Sequence, residues 1–279
     1  MPAEPSIRAL NRAEIGLAVE WAAAEGWNPG LSDAGCFATV DPAGFLVAEL
    51  DGVPAAVISV VNYDTHFAFL GFYIVRPDLR GRGIGLRLWQ AGLAHAGGRT
   101  IGLDGVVAQQ ANYASQGFAL AHRNIRFTGA PEAGEAGETV DLAQVPFAAI
   151  EASDAQVFPA PRAAFLKAWI TAPGHVGRAV LREGRLAGWG VVRPARTGWK
   201  IGPLVAEDPE VADSLFRALR AAAGSDSIVL DVPEPNAPAL ALARRHGLSP
   251  VFETARMYRG SLRPATLEPV YGVTSFELG

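Results

Sequence analysis

Between Phe67 and Trp89 the chain reads FAFLGFYIVRPDLRGRGIGLRLW, and no other stretch restricts the possible folds as strongly. The unbroken apolar run from Phe67 to Val75, rich in aromatic and β-branched residues, predicts a buried strand. Pro77 closes it, because a strand interior cannot use a residue without an N–H. Arg80-Gly81-Arg82-Gly83-Ile84-Gly85 follows, and from Gly85 a helical pattern places Leu86, Leu88, Trp89 and Leu93 at core spacings. Strand, cationic glycine loop and helix N-terminus together make an anion site. Glycines let backbone N–H groups turn inward, the helix dipole adds partial positive charge, and two arginines bracket the loop. The ligand this predicts is a pyrophosphate.

Spacing narrows the choice of pyrophosphate. Counting G-x-G-x-x-G from Gly81 puts Leu86 where a dinucleotide fold needs its last glycine, and no Gly-Lys-Ser/Thr of a Walker A loop is present. What is present, Arg80-x-x-Gly83-x-Gly85 after a strand ending Val75-Arg76-Pro77, resembles the acetyl-CoA loop of the GNAT superfamily of N-acyltransferases. Downstream, a strand over Ile101 to Val106 leads to Asn112-Tyr113-Ala114-Ser115-Gln116-Gly117-Phe118, which resembles the family's second signature, a tyrosine four residues before Gly-Phe. The resemblance covers roughly the first 130 residues, about one domain's worth.

It implies that residues Arg80, Gly81, Arg82, Gly83, Ile84 and Gly85 hold acetyl-CoA by its pyrophosphate, while the pantetheine arm pairs with the splayed edge of the central strand at Ile74 and Val75. A backbone N–H near Tyr73 to Val75 would face the thioester oxygen as an oxyanion hole does. Tyr113 would be the acid that protonates the leaving thiolate, and Asn112 would hydrogen-bond the pantetheine. The helix–loop–helix region near the N-terminus would form one wall of the acceptor site, with Trp27 as a substrate contact or, equally, a loop tryptophan folded onto the core.

Composition sets outer bounds. With 279 residues, 49% apolar and 19% charged, the chain can bury a substantial core in one large or two ordinary domains. A net charge of −4 argues against nucleic acid or an anionic membrane as the main partner. Cys36 is the only cysteine and the five histidines lack ligand spacing, so no disulfide and no metal site are expected. The N-terminus lacks a basic-then-apolar signal and no apolar run reaches membrane length, which leads to the expectation of a soluble cytoplasmic protein, monomer or homodimer.

In chain order, Asn11-Arg12-Ala13-Glu14 has capping-box spacing before a helix running to about Glu25, and Gly26-Trp27-Asn28-Pro29-Gly30 stops it. A short helix over Ser32 to Phe37 is next. Gly44 to Leu50 and Ala55 to Tyr63 flank Asp51-Gly52, a favoured hairpin turn. The helix over Gly83 to Ala96 stops at Gly97-Gly98, and after Gly117 a strand runs towards Phe127. This order predicts an α/β domain with a mixed, mostly antiparallel sheet and helices on both faces, residues 1–130, followed by a linker at 131–139.

Residues 140–279 repeat the grammar: helical segments over Ala143 to Thr171, a hairpin around Glu183-Gly184, strands near Lys200 to Val205 and Ile228 to Val232, and helices over Pro209 to Ala223 and Ala237 to His246. Leu103-Asp104 and Leu230-Asp231 stand at corresponding strands, so the chain reads as two GNAT-like copies in tandem. The second copy is degenerate. Ala206-Glu207-Asp208-Pro209-Glu210 replaces the glycine loop with carboxylates that repel a pyrophosphate, and Ala243 stands four before Gly247. The tail from Leu262 to Gly279 is too apolar for a solvated end and should add a strand or pack across the interface between copies.

An attacking amine also needs a base. Asp104, an aspartate inside an apolar strand, is the first candidate; a buried carboxylate paired with an arginine explains it equally well. Glu25, whose alternative is helix-end solvation, is second, with His66 or His122 third. The resulting expectation is an N-acetyltransferase acting on the primary amine of a small or amino-acid-like acceptor. A non-catalytic acyl-CoA sensor or scaffold and a protein-lysine acetyltransferase are the alternatives.

Overall fold

A computed structural model describes residues 4–130, 137–261 and 265–279. The first half contains β1 (Ser6–Ala9), α1 (Ile15–Ala24), α2 (Asp33–Phe37), β2 (Phe45–Leu50), β3 (Val53–Asn62), β4 (Phe67–Val75), α3 (Ile84–Ala96), β5 (Thr100–Val106), α4 (Gln110–Ser115) and β6 (Ala119–Gly129). The second contains β7 (Val140–Asp141), α5 (Phe147–Val157), α6 (Ala163–Thr171), β8 (Val176–Arg182), β9 (Arg185–Pro194), β10 (Trp199–Ala206), α7 (Pro209–Ala222), β11 (Ile228–Pro233), α8 (Ala237–Arg245), β12 (Ser249–Arg259) and β13 (Val270–Gly272).

Local chemistry explains most boundaries. Asn11 Oδ1 accepts from the N–H groups of Ala13 and Glu14, while Glu14 Oε2 accepts from the Asn11 N–H at 2.8 Å, a reciprocal cap just ahead of α1. Asp51 and Gly52 both take positive φ, 51° and 78°, as a two-residue hairpin turn with the right twist requires. Leu88 and Trp89 of α3 are buried as the periodicity demands, but Leu86 is 53% exposed. Leu86 instead borders the glycine loop, where the first helical turn faces solvent.

All strands join one mostly antiparallel sheet in the order β1-β2-β3-β4-β5-β12-β6-β11-β10-β9-β8-β7, with β13 added on β10. The two copies therefore share a single sheet, and they exchange their last strands. β12 lies against β5, Asp104 opposite Arg256, and β6 lies against β11, Asp231 opposite Arg126. At the centre β6 and β12 pair with each other, Asn124 facing Thr254. Of the expected linker, residues 131–136 lie outside the described residues.

A core common to both halves locks them together. Phe37 packs on Phe72 at 5.8 Å and, across the boundary, on Trp169 at 6.1 Å. Trp169 and Trp189 are fully buried there and fill the core; neither borders the site. Asp33 and Arg193, both without exposed side-chain surface, pair at 2.9 Å between the halves.

In each copy a parallel pair of strands opens partway along. β4 and β5 pair from Phe67 to Leu70, and β4 then runs on to Val75 paired only with β3. β10 and β11 pair from Trp199 to Ile201. Beyond that point β13 fills the opening, pairing with β10 at Leu204 and Val205. Residues 273–279 continue across to the first copy, where Tyr63 donates to the Leu278 carbonyl at 2.7 Å, while Arg162 of the second copy donates to that of Gly279 at 3.1 Å. The tail thus does both things expected of it: it adds a strand, and it packs across the interface.

Candidate active site

The opening between β4 and β5 is a cavity of ≈ 470 Å³. It gathers Glu25, Trp27, Tyr73, Ile74, Val75, Arg80, Asp104 and Tyr113, all singled out from the sequence. Beside it a second hollow of ≈ 280 Å³ is lined by Arg80 to Leu86 together with Tyr73, Val75 and Leu79. Tyr73, Val75 and Arg80 border both, so the loop and the strand edge serve one continuous site.

The loop fits an anionic cofactor. Gly81 and Gly83 take φ of 77° and 80°, a backbone that side chains avoid, and a Cβ at either would meet nothing within 4 Å. Gly85 is needed for a different reason: its Cβ would lie 2.6 Å from Tyr73 Oη, so only glycine lets the helix start sit on the tyrosine. α3 has thirteen residues and no acidic side chain in its first turn, leaving its N-terminal N–H groups and dipole open to an anion. Arg80 donates Nε–H to the Val75 carbonyl at 3.0 Å and pairs with Glu25 at 2.5 Å, which ties the loop to the wall of the cavity.

The second copy has the opposite electrostatics. Asp208 caps α7 by accepting from the N–H groups of Glu210 and Val211 at 2.9 Å, and Arg182 neutralises Glu207 and Asp208. The helix start is occupied by its own carboxylate, and β13 fills the neighbouring opening.

Tyr113 is held by packing. Its ring stacks on Trp89 at 5.6 Å, and a Cβ on Gly105 would lie 2.7 Å from it. Burial first, and Tyr73 second, push its phenol up, so it keeps its proton at neutral pH. Asn112 points elsewhere: it is exposed, donates to Gln109 Oε1 at 2.7 Å and does not line the cavity, whereas Gln109 does. Trp27 is half-buried in the cavity wall, and its carbonyl accepts from Arg126 at 2.9 Å.

Three of the four candidate bases have other engagements or surroundings. Asp104 accepts from Arg256 Nε at 2.9 Å, Arg256 Nη2 at 2.7 Å and Asn124 at 2.8 Å; burial pushes its carboxyl up, against the pull of Arg256. Asp231 in the loop-less second copy holds Arg126 the same way, at 2.7 and 2.8 Å. The pair therefore accompanies the fold, with or without a cofactor loop. Burial, then Arg256, holds His122 down at about 4, and neither it nor the exposed His66 borders the cavity. Glu25 does border it, paired with Arg80.

Sequence reasoning did not find the residues that the exchanged strands and the tail bring in: Arg126, Phe252, Thr254, Phe276 and Glu277. A signal existed in the arginines that interrupt both last strands, Arg126 and Arg256, since an arginine in a half-apolar strand needs a carboxylate across from it.

Comparison with known proteins gives the family. The family described as "Acetyltransferase (GNAT) family" matches residues 13–122, and "Acetyltransferase (GNAT) domain" matches 150–272. A holothin acyltransferase of Pseudoalteromonas sp. (strain SANK 73390) is 33% identical over 268 residues, covering 93% of this chain and 90% of that protein. The crystal structure of a putative acetyltransferase from Pyrococcus horikoshii superposes with a TM-score of 0.83 at 26% identity, covering 99% of this chain and 96% of that one. A tandem GNAT protein from the clavulanic acid biosynthesis pathway shares the fold, with a TM-score of 0.63 at 17% identity over 94% of this chain and 100% of that one. An open cationic loop beside a splayed strand in one copy, and a closed acidic counterpart in the other, mark the chain as a tandem member of the GNAT superfamily of acyltransferases.

Proposed function

We propose that the protein is an acetyl-CoA-dependent N-acetyltransferase that modifies the primary amine of a small molecule in the cytoplasm. The observation that carries this reading is the pair of adjoining hollows, joined at Tyr73, Val75 and Arg80, that bring Tyr113, the open edge of β4 and the glycine loop to one site. Bound there, acetyl-CoA supplies an acyl group already activated as a thioester. The N–H groups of Arg80 to Gly85 and the charge of Arg82 grip its pyrophosphate, and the Tyr73 to Val75 edge aligns the pantetheine and polarises the carbonyl. Tyr113, protonated at neutral pH, gives its proton to the departing sulfur. A space of ≈ 470 Å³ walled by Trp27, Phe72, Phe252 and Phe276 suits a small acceptor better than an extended peptide.

The test is a thiol-release screen with acetyl-CoA across polyamines, amino acids, aminoglycosides and peptides. Holothin belongs in the panel because the Pseudoalteromonas relative is named for it. Turnover with a small amine, lost in Tyr113→Phe and weakened in Arg82→Ala, is expected. Tight acetyl-CoA binding without thiol release from any amine would overturn the reading in favour of a sensor; preferential turnover of peptides would move it to protein lysines.

A further inference from the structure

The cavity holds one carboxylate, Glu277, with no hydrogen bond to Oε2 and no ion pair within 4 Å among the described residues. Glu277 is 2% exposed and lines the cavity, yet its Oε2 is buried without a hydrogen-bond partner. The other two acidic groups lining the cavity each have a guanidinium: Asp104 has Arg256 and Glu25 has Arg80. Among the described residues Glu277 makes no ion pair, although it lies in the field of Arg126 and Lys200. Neither cation hydrogen-bonds it, although Glu277 acts on the buried Lys200 more strongly than Asp231 does. Arg126 spends its donors on Asp231 and the Trp27 carbonyl, and Lys200 Nζ stands without a hydrogen bond, 4.0 Å from Asp231.

The fold fixes the backbone of this residue firmly. The Glu277 carbonyl sits directly on Gly71, where a Cβ would collide with it, and the adjoining Phe276 ring stacks under Arg126 at 4.8 Å. Leu278 and Gly279 bond back to Ser275. A buried carboxylate without a partner is costly unless a ligand supplies one.

We infer that Glu277 is the acceptor-side carboxylate of this site: it holds the ammonium of the incoming amine and takes a proton from it. The inference rests on the amine-acetylation reading above. An ammonium that becomes an amide gives up two protons. The first passes from nitrogen to Glu277, freeing the lone pair that forms the N–C bond as the C–S bond breaks. The second leaves nitrogen for water; sulfur takes one from Tyr113, which water replaces. Glu277 returns its proton to solvent, so the balance is an amide, a thiol and one released proton. The aromatic walls then select a primary amine carried on a flat or apolar body.

The experiment compares wild type with the isosteric Glu277→Gln and the shorter Glu277→Asp. Calorimetry in the presence of CoA measures binding of 2-phenylethylamine against neutral 2-phenylethanol. Wild type should prefer the amine about tenfold or more, and Glu277→Gln should lose that preference while binding acetyl-CoA within about twofold of wild type. With any amine that turns over, kcat/KM should fall about 100-fold in Glu277→Gln and recover partly in Glu277→Asp. An amine preference that survives in Glu277→Gln, or equal binding of amine and alcohol by wild type, overturns the inference. Absence of thiol release by wild type with every amine overturns the acetylation reading instead, so the two failures are distinct.

Discussion

Asp104 and Arg256, 152 residues apart in the chain, meet in a two-pronged ion pair, Nε to Oδ1 at 2.9 Å and Nη2 to Oδ2 at 2.7 Å. The second copy has the mirror arrangement, Asp231 with Arg126 at 2.7 and 2.8 Å. Each arginine comes from the strand donated by the other copy, so the two pairs pin the exchange at corresponding places. Bidentate geometry matters here, because one displaced residue along a strand would turn the guanidinium to the opposite face.

Breaking one partner of such a pair leaves a buried charge uncompensated. Arg256→Ala is expected to cost about 3–5 kcal/mol in denaturant unfolding. Asp104→Asn, which keeps the shape, should lower the melting temperature yet hold kcat within a fewfold range of wild type. A drop of several hundredfold in kcat with an unchanged melting temperature would return Asp104 to the chemistry.

Tyr113→Phe should reduce kcat about 10²–10³-fold at unchanged acetyl-CoA affinity. Burial and then Tyr73 raise the phenol of Tyr113, so the proton stays on beyond about pH 10, the usual tyrosine value. Because the protonated form is the acid, kcat of wild type should show no alkaline decline below about pH 10. A descending limb near pH 8 in the pH–rate profile, absent from Tyr113→Phe, would contradict this.

Gly71→Ala tests the seat of the tail. The new methyl would strike the Glu277 carbonyl, and relief requires shifting residues 276–278 or bending β4. A stability loss of about 1–3 kcal/mol is expected. Acceptor KM should rise while acetyl-CoA binding persists, since the loop at 80–85 lies beyond the end of β4, past Val75. Equal losses in both affinities would show that the tail does not act on the acceptor side alone.

The two helix starts should respond oppositely. Arg82→Ala weakens acetyl-CoA binding several-fold, and more so at low salt, because its charge faces the open loop. Asp208→Ala removes the cap of α7 and costs about 1 kcal/mol in thermal or denaturant unfolding, with acetyl-CoA affinity unchanged. Calorimetric titration of both variants checks the contrast.

Local chemistry made much of this protein readable from its residues. Glycine and carboxylate preferences located the Asp51-Gly52 hairpin and the ends of α3, and the alternation of Arg and Gly located the cationic loop ahead of α3. The repeat of strand, helix and Leu-Asp revealed two copies, and five charges and a proline distinguished the live loop from its acidic counterpart. Leu86 misled because helical spacing alone does not say where a helix enters its core.

What the linear order by itself determined is the inventory: two similar units, one competent cationic loop, one tyrosine at the right distance after it. Which copy each last strand joins, and where the tail ends, was decided only in three dimensions. β6 and β12 carry nearly the same alternation, so their backbones could satisfy either neighbour; the choice depends on Arg126 finding Asp231 and Arg256 finding Asp104, contacts more than a hundred residues apart. Glu277 reaches the cavity for the same reason. Its position follows from β13 filling the second copy's opening and from Gly71 leaving room for a carbonyl, and neither fact is written in the residues around it.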